Sequence, residues 1–172
     1  MENRPACPCA PRNLHPLLVM RIRFIWTGKT KDARLRGLIE EYLKRLSRFV
    51  RCDVSELRES RAGKDRAGIE KDGRRISDGL HSGALTVLLD EGGQEWSSTE
   101  LAGQLQRWER SGTKEVQIVI GGPNGVSDEV AAKTRVRWCL SRLTLTHEMA
   151  RVIAIEQIYR AYTIVNGLPY QK

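Results

Sequence analysis

The stretch ALTVLLDEGGQEWSSTELAGQLQRWERSGTKEVQIVI, residues 84–120, decides the fold class of this chain. Ala84-Leu-Thr-Val-Leu-Leu89 is a continuous apolar run, the pattern of a strand covered on both faces, and Asp90-Glu-Gly-Gly93 reads as the turn that ends it. Ser97 and Glu100 stand at capping-box spacing and open a helix that carries Leu101, Leu105 and Trp108 on one face until Ser111-Gly112 stops it. Glu115-Val-Gln-Ile-Val-Ile120 is the next strand. Strand, helix and strand within about forty residues make a βαβ unit, whose right-handed crossover leaves the two strands parallel. The expected class is α/β, a parallel sheet flanked by helices.

Downstream, Ser127 can cap a short helix, residues 136–140 can form a strand, and Thr146 can cap a long helix over residues 147–165. In that helix Met149, Val152, Ile153, Ile155, Ile158, Tyr159, Tyr162 and Val165 cover more than one narrow stripe. Either the helix is buried within its own domain, or one side packs on the sheet and another on a second copy of the chain. Upstream, Arg21-Ile-Arg-Phe-Ile-Trp26 alternates as a strand and is broken at Thr27-Gly28. Asp32 is positioned to cap a helix whose Leu35, Leu38, Ile39, Tyr42, Leu43, Leu46 and Val50 recur at threes and fours. A short strand is expected over 52–57, a mobile basic loop over 58–68, and a weaker helix over 69–80, with Ile69, Ile76 and Leu80 inward and Gly73 and Gly79 as its weak points. Pro5, Pro8, Pro11 and Pro16 make residues 1–19 a disordered extension in this reading, with Met20 as a native start and residues 20–172 as one domain.

Composition narrows the partners. Lys and Arg number 29 against 21 Asp and Glu, a net charge of +8 that favours RNA or another polyanion. Arg21 and Arg23 interrupt the only early apolar stretch, so no membrane-spanning run exists, and Leu17-Leu-Val-Met20 is too short for a secretory core. Cys7, Cys9, Cys52 and Cys139 read as reduced thiols of a cytoplasmic protein, and Cys7-Pro-Cys9 lacks the spacer of a zinc knuckle, so no metal is expected.

Ligands of open parallel sheets settle beyond the carboxyl ends of the strands, where this chain has Asp90-Glu-Gly-Gly93 and Gly121-Gly-Pro-Asn-Gly125. Both turns can border one pocket, in which glycine admits close backbone approach. Two phosphate motifs fail on spacing. Gly28-Lys29-Thr30 resembles the end of a Walker loop, but Arg23 stands where its first glycine belongs, and the glycines at 121, 122 and 125 do not make a dinucleotide fingerprint. Leu140, Leu143 and Leu145 can seat an adenine ring or simply pack the core.

Leu89-Asp-Glu-Gly, Ile120-Gly-Gly-Pro-Asn-Gly125, Leu140-Ser-Arg-Leu-Thr-Leu145, His147-Glu-Met-Ala-Arg-Val and Glu156-Gln-Ile-Tyr-Arg-Ala, in that order, resemble the ribosomal RNA large subunit methyltransferase H family of the SPOUT superfamily. The resemblance implies a C-terminal trefoil knot that builds an S-adenosyl-L-methionine site, a homodimer, and methylation of N3 of a pseudouridine in 23S rRNA of the large subunit or assembled ribosome. On matching positions it places Leu89, Gly121, Leu140, Ser141, Arg142, Leu143, Thr144 and Leu145 at the cofactor, largely through backbone atoms. Tyr170 becomes the candidate beside the reacting base, Arg151 and Arg160 join Arg142 as candidates for RNA phosphates or the partner subunit, and His147 is a capping residue. A noncatalytic ribosome-binding protein and a knotted methyltransferase with another RNA target are the competing readings. Two positions depart from the family pattern: Thr146 replaces a proline, harmlessly for a cap, and Gln171 replaces a histidine, which removes support for a proton acceptor there.

Overall fold

The computed structural model describes residues 20–60, 66–122 and 125–170. The extension 1–19 and Gln171 lie outside that set. The elements are β1 (Arg21–Thr27), α1 (Ala33–Leu46), β2 (Arg51–Leu57), α2 (Arg66–Gly79), β3 (Leu85–Glu95), α3 (Ser98–Arg110), β4 (Glu115–Ile120), α4 (Asp128–Ala132), β5 (Val136–Cys139) and α5 (His147–Val165). The five strands form one sheet in the order β2-β1-β4-β3-β5, every pair parallel. No described helix is long and apolar enough to cross a membrane.

Strand alternation divides the interior into two layers. Ile22, Phe24 and Trp26 of β1 and Val116, Ile118 and Ile120 of β4 face α1, α3 and α5 in the larger core, while Ile25, Leu88 and Val119 meet Ile76 of α2 and Val130 of α4 on the other side. α5 packs against both α1 and α3. Val152, Ile155, Ile158 and Tyr162 are buried there, Tyr159 and Val165 are partly buried against the same core, and Met149 is left 38% exposed. The caps follow their expected chemistry. Asp32 accepts from the amides of Arg34 and Leu35, Ser97 and Glu100 close the capping box at 3.2 and 2.7 Å, and the Thr146 hydroxyl accepts from Met149 at 3.3 Å.

Two expectations are corrected. β3 does not stop at Leu89: its pairing with β5 is interrupted between Leu89 and Gln94, then resumes as Gln94 with Trp138 and Glu95 with Cys139. The 90–93 segment is thus an irregularity inside a strand. α2 begins at Arg66, inside the expected loop, and the flanking chain is tied to it: Asp72 accepts from the Ser60 amide at 2.7 Å and Arg75 donates to the Arg58 carbonyl at 2.7 Å. Gly73 is a packing requirement of α2, because a Cβ there would collide with the Ser127 side chain that caps α4.

Candidate functional site

Where β3 is interrupted after Leu89 and β5 ends at Cys139 lies a cleft of about 170 Å³ lined by Leu89 and all of residues 140–145. Asp90, Glu91, Trp138, Cys139 and Ala150 complete its wall. Seven of the eight cofactor candidates read from the sequence therefore converge on one place. Gly121, the eighth, does not line the cleft but follows Ile120, which pairs with Leu89 across the sheet. A larger hollow of about 310 Å³ between α2 and α4 contains none of these residues.

The cleft exists because β3 is irregular. A Cβ on Gly93 would lie 2.7 Å from the Arg137 carbonyl carbon and 2.8 Å from the Trp138 nitrogen, so glycine alone lets the strand pass so close to β5. Asp90 accepts from the Gly92 amide at 2.8 Å and pairs with Arg137 at 3.3 Å, which holds the segment open over the cleft. Trp138 is fixed from behind by Trp96, stacked at 5.9 Å. After β5, the Cys139 thiol donates to the Ser141 carbonyl at 3.2 Å and the Ser141 hydroxyl accepts from the Leu143 amide at 3.0 Å, curling 140–145 into the wall. Leu143 is left 77% exposed, which suits a residue awaiting a ligand or partner. The turn at 90–93 pointed to Asp90 and Glu91, but Trp138, Cys139 and Ala150 carry no chemical signature that sequence reasoning could find.

The remaining candidates lie elsewhere. Tyr170 donates to Glu156 at 3.1 Å, its oxygen lies 3.3 Å from the Tyr42 hydroxyl, and Arg160 sits 4.6 Å above its ring. Partial burial, the Tyr42 hydrogen bond and the Glu156 charge push its phenol well above the ordinary tyrosine value, so it stays protonated at neutral pH. Tyr170 is not among the residues that line the cleft. Arg160 is held by Glu156 at 2.6 Å, and Arg142, 88% exposed, reaches Glu95 at 3.1 Å. Arg151, a candidate for RNA phosphates or the partner subunit, is instead an interior residue of this subunit. It is fully buried, donates to Thr30 Oγ1 at 2.9 Å and the Thr27 carbonyl at 2.8 Å, and lies 5.0 Å over Trp26. Its two terminal nitrogens are engaged inside the subunit, while its buried Nε has no hydrogen-bond partner among the described residues. Burial and the neighbouring Arg151 charge lower the His147 pKa, which keeps that ring neutral at pH 7.

A family model described as "Predicted SPOUT methyltransferase" matches residues 20–171. A ribosomal RNA large subunit methyltransferase H from Geotalea daltonii is 42% identical over 151 residues, covering 88% of this chain and 99% of that protein. Its namesake from Gloeobacter violaceus is 39% identical over 151 residues, covering 88% and 98%. The crystal structure of a probable methyltransferase from Bordetella pertussis shares the fold, with a TM-score of 0.53 at 14% identity over 83% of this chain and 95% of that one. The match runs through both strands of the cleft and the segment that lines it, and the chain belongs to the SPOUT methyltransferases and, within them, to the ribosomal RNA large subunit methyltransferase H family.

Proposed function

We propose that the cleft binds S-adenosyl-L-methionine and that this homodimeric, cytoplasmic enzyme methylates N3 of a pseudouridine in 23S rRNA, on the large subunit or the assembled ribosome. The carrying observation is the convergence of Leu89 and residues 140–145 on one strand-end cleft. The donor set suits the cofactor. Leu89, Leu140, Leu145 and Trp138 offer apolar surface to a flat heterocycle, strand-end backbone offers donors and acceptors to its edge, and the Asp90 and Glu91 carboxylates offer negative charge to ribose hydroxyls and a sulfonium. At about 170 Å³ the cleft is smaller than the roughly 300–1,000 Å³ of common ligand pockets, so part of the cofactor would lie in its open mouth.

When bound, the cofactor supplies an electrophilic methyl group. The protein's work is then alignment and exclusion of water, which need no catalytic triad. Tyr170, protonated and clamped by Glu156 and Arg160, offers a ring face and a hydroxyl to a base, not a proton acceptor. Its absence from the cleft wall supports a reading in which RNA recognition is shared across the dimer. We assign the knot of the family to the segment from β4 to residue 145, a reading supported by the return of β5 to the far side of β3 from β4.

Calorimetric titration with S-adenosyl-L-methionine is expected to show one saturable site per subunit, and incubation with unmodified ribosomes should yield 3-methylpseudouridine on nucleoside analysis. No binding by a folded protein would overturn the cleft assignment; binding with a different methylated nucleoside would move the reading to another RNA target. Gly121→Val provides a sharper test of the turn. Even a first Cβ there would stand 3.1 Å from the Gly125 backbone and 3.2 Å from Val126, so valine should displace the turn and cut cofactor affinity at least about tenfold while the protein stays folded. Unchanged affinity would remove Gly121 from the site.

A further inference from the structure

We infer that the loop between β1 and α1, residues 27–32, is a rigid clamp for RNA phosphates beside the cofactor cleft, with Lys29 and Lys31 as the contacting cations and Arg151 and Glu148 as positioning residues. This rests on the RNA-methyltransferase reading above and adds a substrate contact to it.

The loop is short, yet it is held from several sides. From beneath, buried Arg151 donates to Thr30 Oγ1 and the Thr27 carbonyl, and both threonines are buried with it. From α5, the Glu148 carboxylate accepts from the amides of Lys31 and Asp32 at 2.9 and 3.2 Å. From β2, the Leu57 carbonyl accepts from the Gly28 amide at 2.8 Å. Gly28 takes a positive φ of 76°, and a Cβ there would stand 3.0 Å from Glu59 Oε2, so the turn is specific to glycine. The likeness of Gly28-Lys29-Thr30 to a Walker loop has no metal chemistry behind it, because the Thr30 hydroxyl is buried under Arg151.

What this anchoring presents to solvent is two lysines, beside the carboxylates of Asp32, Glu59 and Glu148. Lys29 and Lys31 are exposed, and neither forms an ion pair among the described residues. The place is right as well. A Cβ on Gly122 would lie 3.5 Å from Thr27 Oγ1, which sets the loop against the 121–125 turn, and the α5 turn that grips it follows directly on Leu145 of the cleft wall. Two unpaired ammonium groups on a fixed backbone suit successive phosphates of an RNA strand, since lysine acts as a point charge and the loop's ordering cost is met in the free protein. Held this way, the strand would pass the mouth of the cleft.

Counterion release makes the proposal measurable. Binding of the full chain to purified large ribosomal subunits is measured against salt concentration for wild type, for Lys29→Ala/Lys31→Ala, and for the charge-matched control Lys44→Ala/Lys114→Ala. Lys44, in the last turn of α1, and Lys114, just before β4, lie toward the amino ends of the strands, opposite the loop that follows β1. The loop variant is expected to lose about tenfold or more in affinity and to lower the log–log salt slope by about 1.4 to 2, with calorimetric cofactor affinity unchanged. The control should stay within about twofold of wild type with its slope intact. Glu148→Ala, which loosens the loop but keeps both lysines, should weaken binding without changing the slope. If the loop pair matches the control pair, the clamp is overturned. Loss of cofactor binding in the loop pair would place the lysines in the cofactor site and overturn it equally. Wild type that binds the cofactor but no ribosomal subunit would overturn both this contact and the RNA reading on which it rests.

Discussion

Arg151→Ala is expected to lower the unfolding free energy by about 3–5 kcal/mol. Three losses add. The charge-assisted bonds to Thr30 Oγ1 and the Thr27 carbonyl disappear and leave both acceptors buried, the stacking over Trp26 goes, and a cavity opens under the β1–α1 loop. Against this stands the cost of burying a guanidinium, visible as an Arg151 pKa held below the usual arginine value chiefly by desolvation. Arg151→Met separates the contributions, since methionine fills much of the volume without the bonds. It should still cost about 2 kcal/mol, because two buried acceptors remain unmet. Denaturant unfolding of both variants measures this; a methionine variant as stable as wild type would show that desolvation cancels the hydrogen bonds and would sink the account.

Gly93→Ala is the second large effect, and it couples stability to function. Every atom its Cβ would meet within 3 Å is backbone of β5: the Arg137 carbonyl carbon at 2.7 Å, the Trp138 nitrogen at 2.8 Å and the Arg137 oxygen at 2.9 Å. No rotamer change relieves such a clash, so β3 and β5 must separate at a cost of about 3 kcal/mol. β5 leads into residues 140–145, so the same separation should displace the cleft wall and weaken cofactor binding. Gly92→Ala is the matched control, because its Cβ would meet only Asp90 Oδ1, at 3.4 Å. Thermal unfolding and calorimetry should show a large loss in both measurements for Gly93→Ala and little for Gly92→Ala. Equal behaviour of the two would mean that the close approach at Gly93 is not what shapes the cleft.

The difference between these two glycines illustrates how far sequence reasoning reaches. Both stood in one turn-like string, and nothing local distinguished the one that touches a neighbouring strand. The same holds for arginine. Arg151 and Arg160 share α5, yet one is sealed over Trp26 and the other lies over Tyr170. Helical periodicity marked the apolar face of α5, but a lone arginine within such a face reads equally as an interruption of the core or an edge of it. Only the Thr27 carbonyl and Thr30 hydroxyl, more than a hundred residues away in the chain, settle which it is.

By itself the sequence determined the α/β class, the apolar faces and the caps at Asp32, Ser97, Ser127 and Thr146, whereas the residues that line the cleft were reached through the family resemblance. The former are local properties, fixed by side-chain period and by hydrogen bonds spanning a few residues. The tertiary structure alone decided the strand order β2-β1-β4-β3-β5, the break in β3 opposite β5, the burial of Arg151 and the anchored loop on which Lys29 and Lys31 are exposed. Each depends on backbone approaches between segments distant in sequence, which close packing decides and no local pattern records.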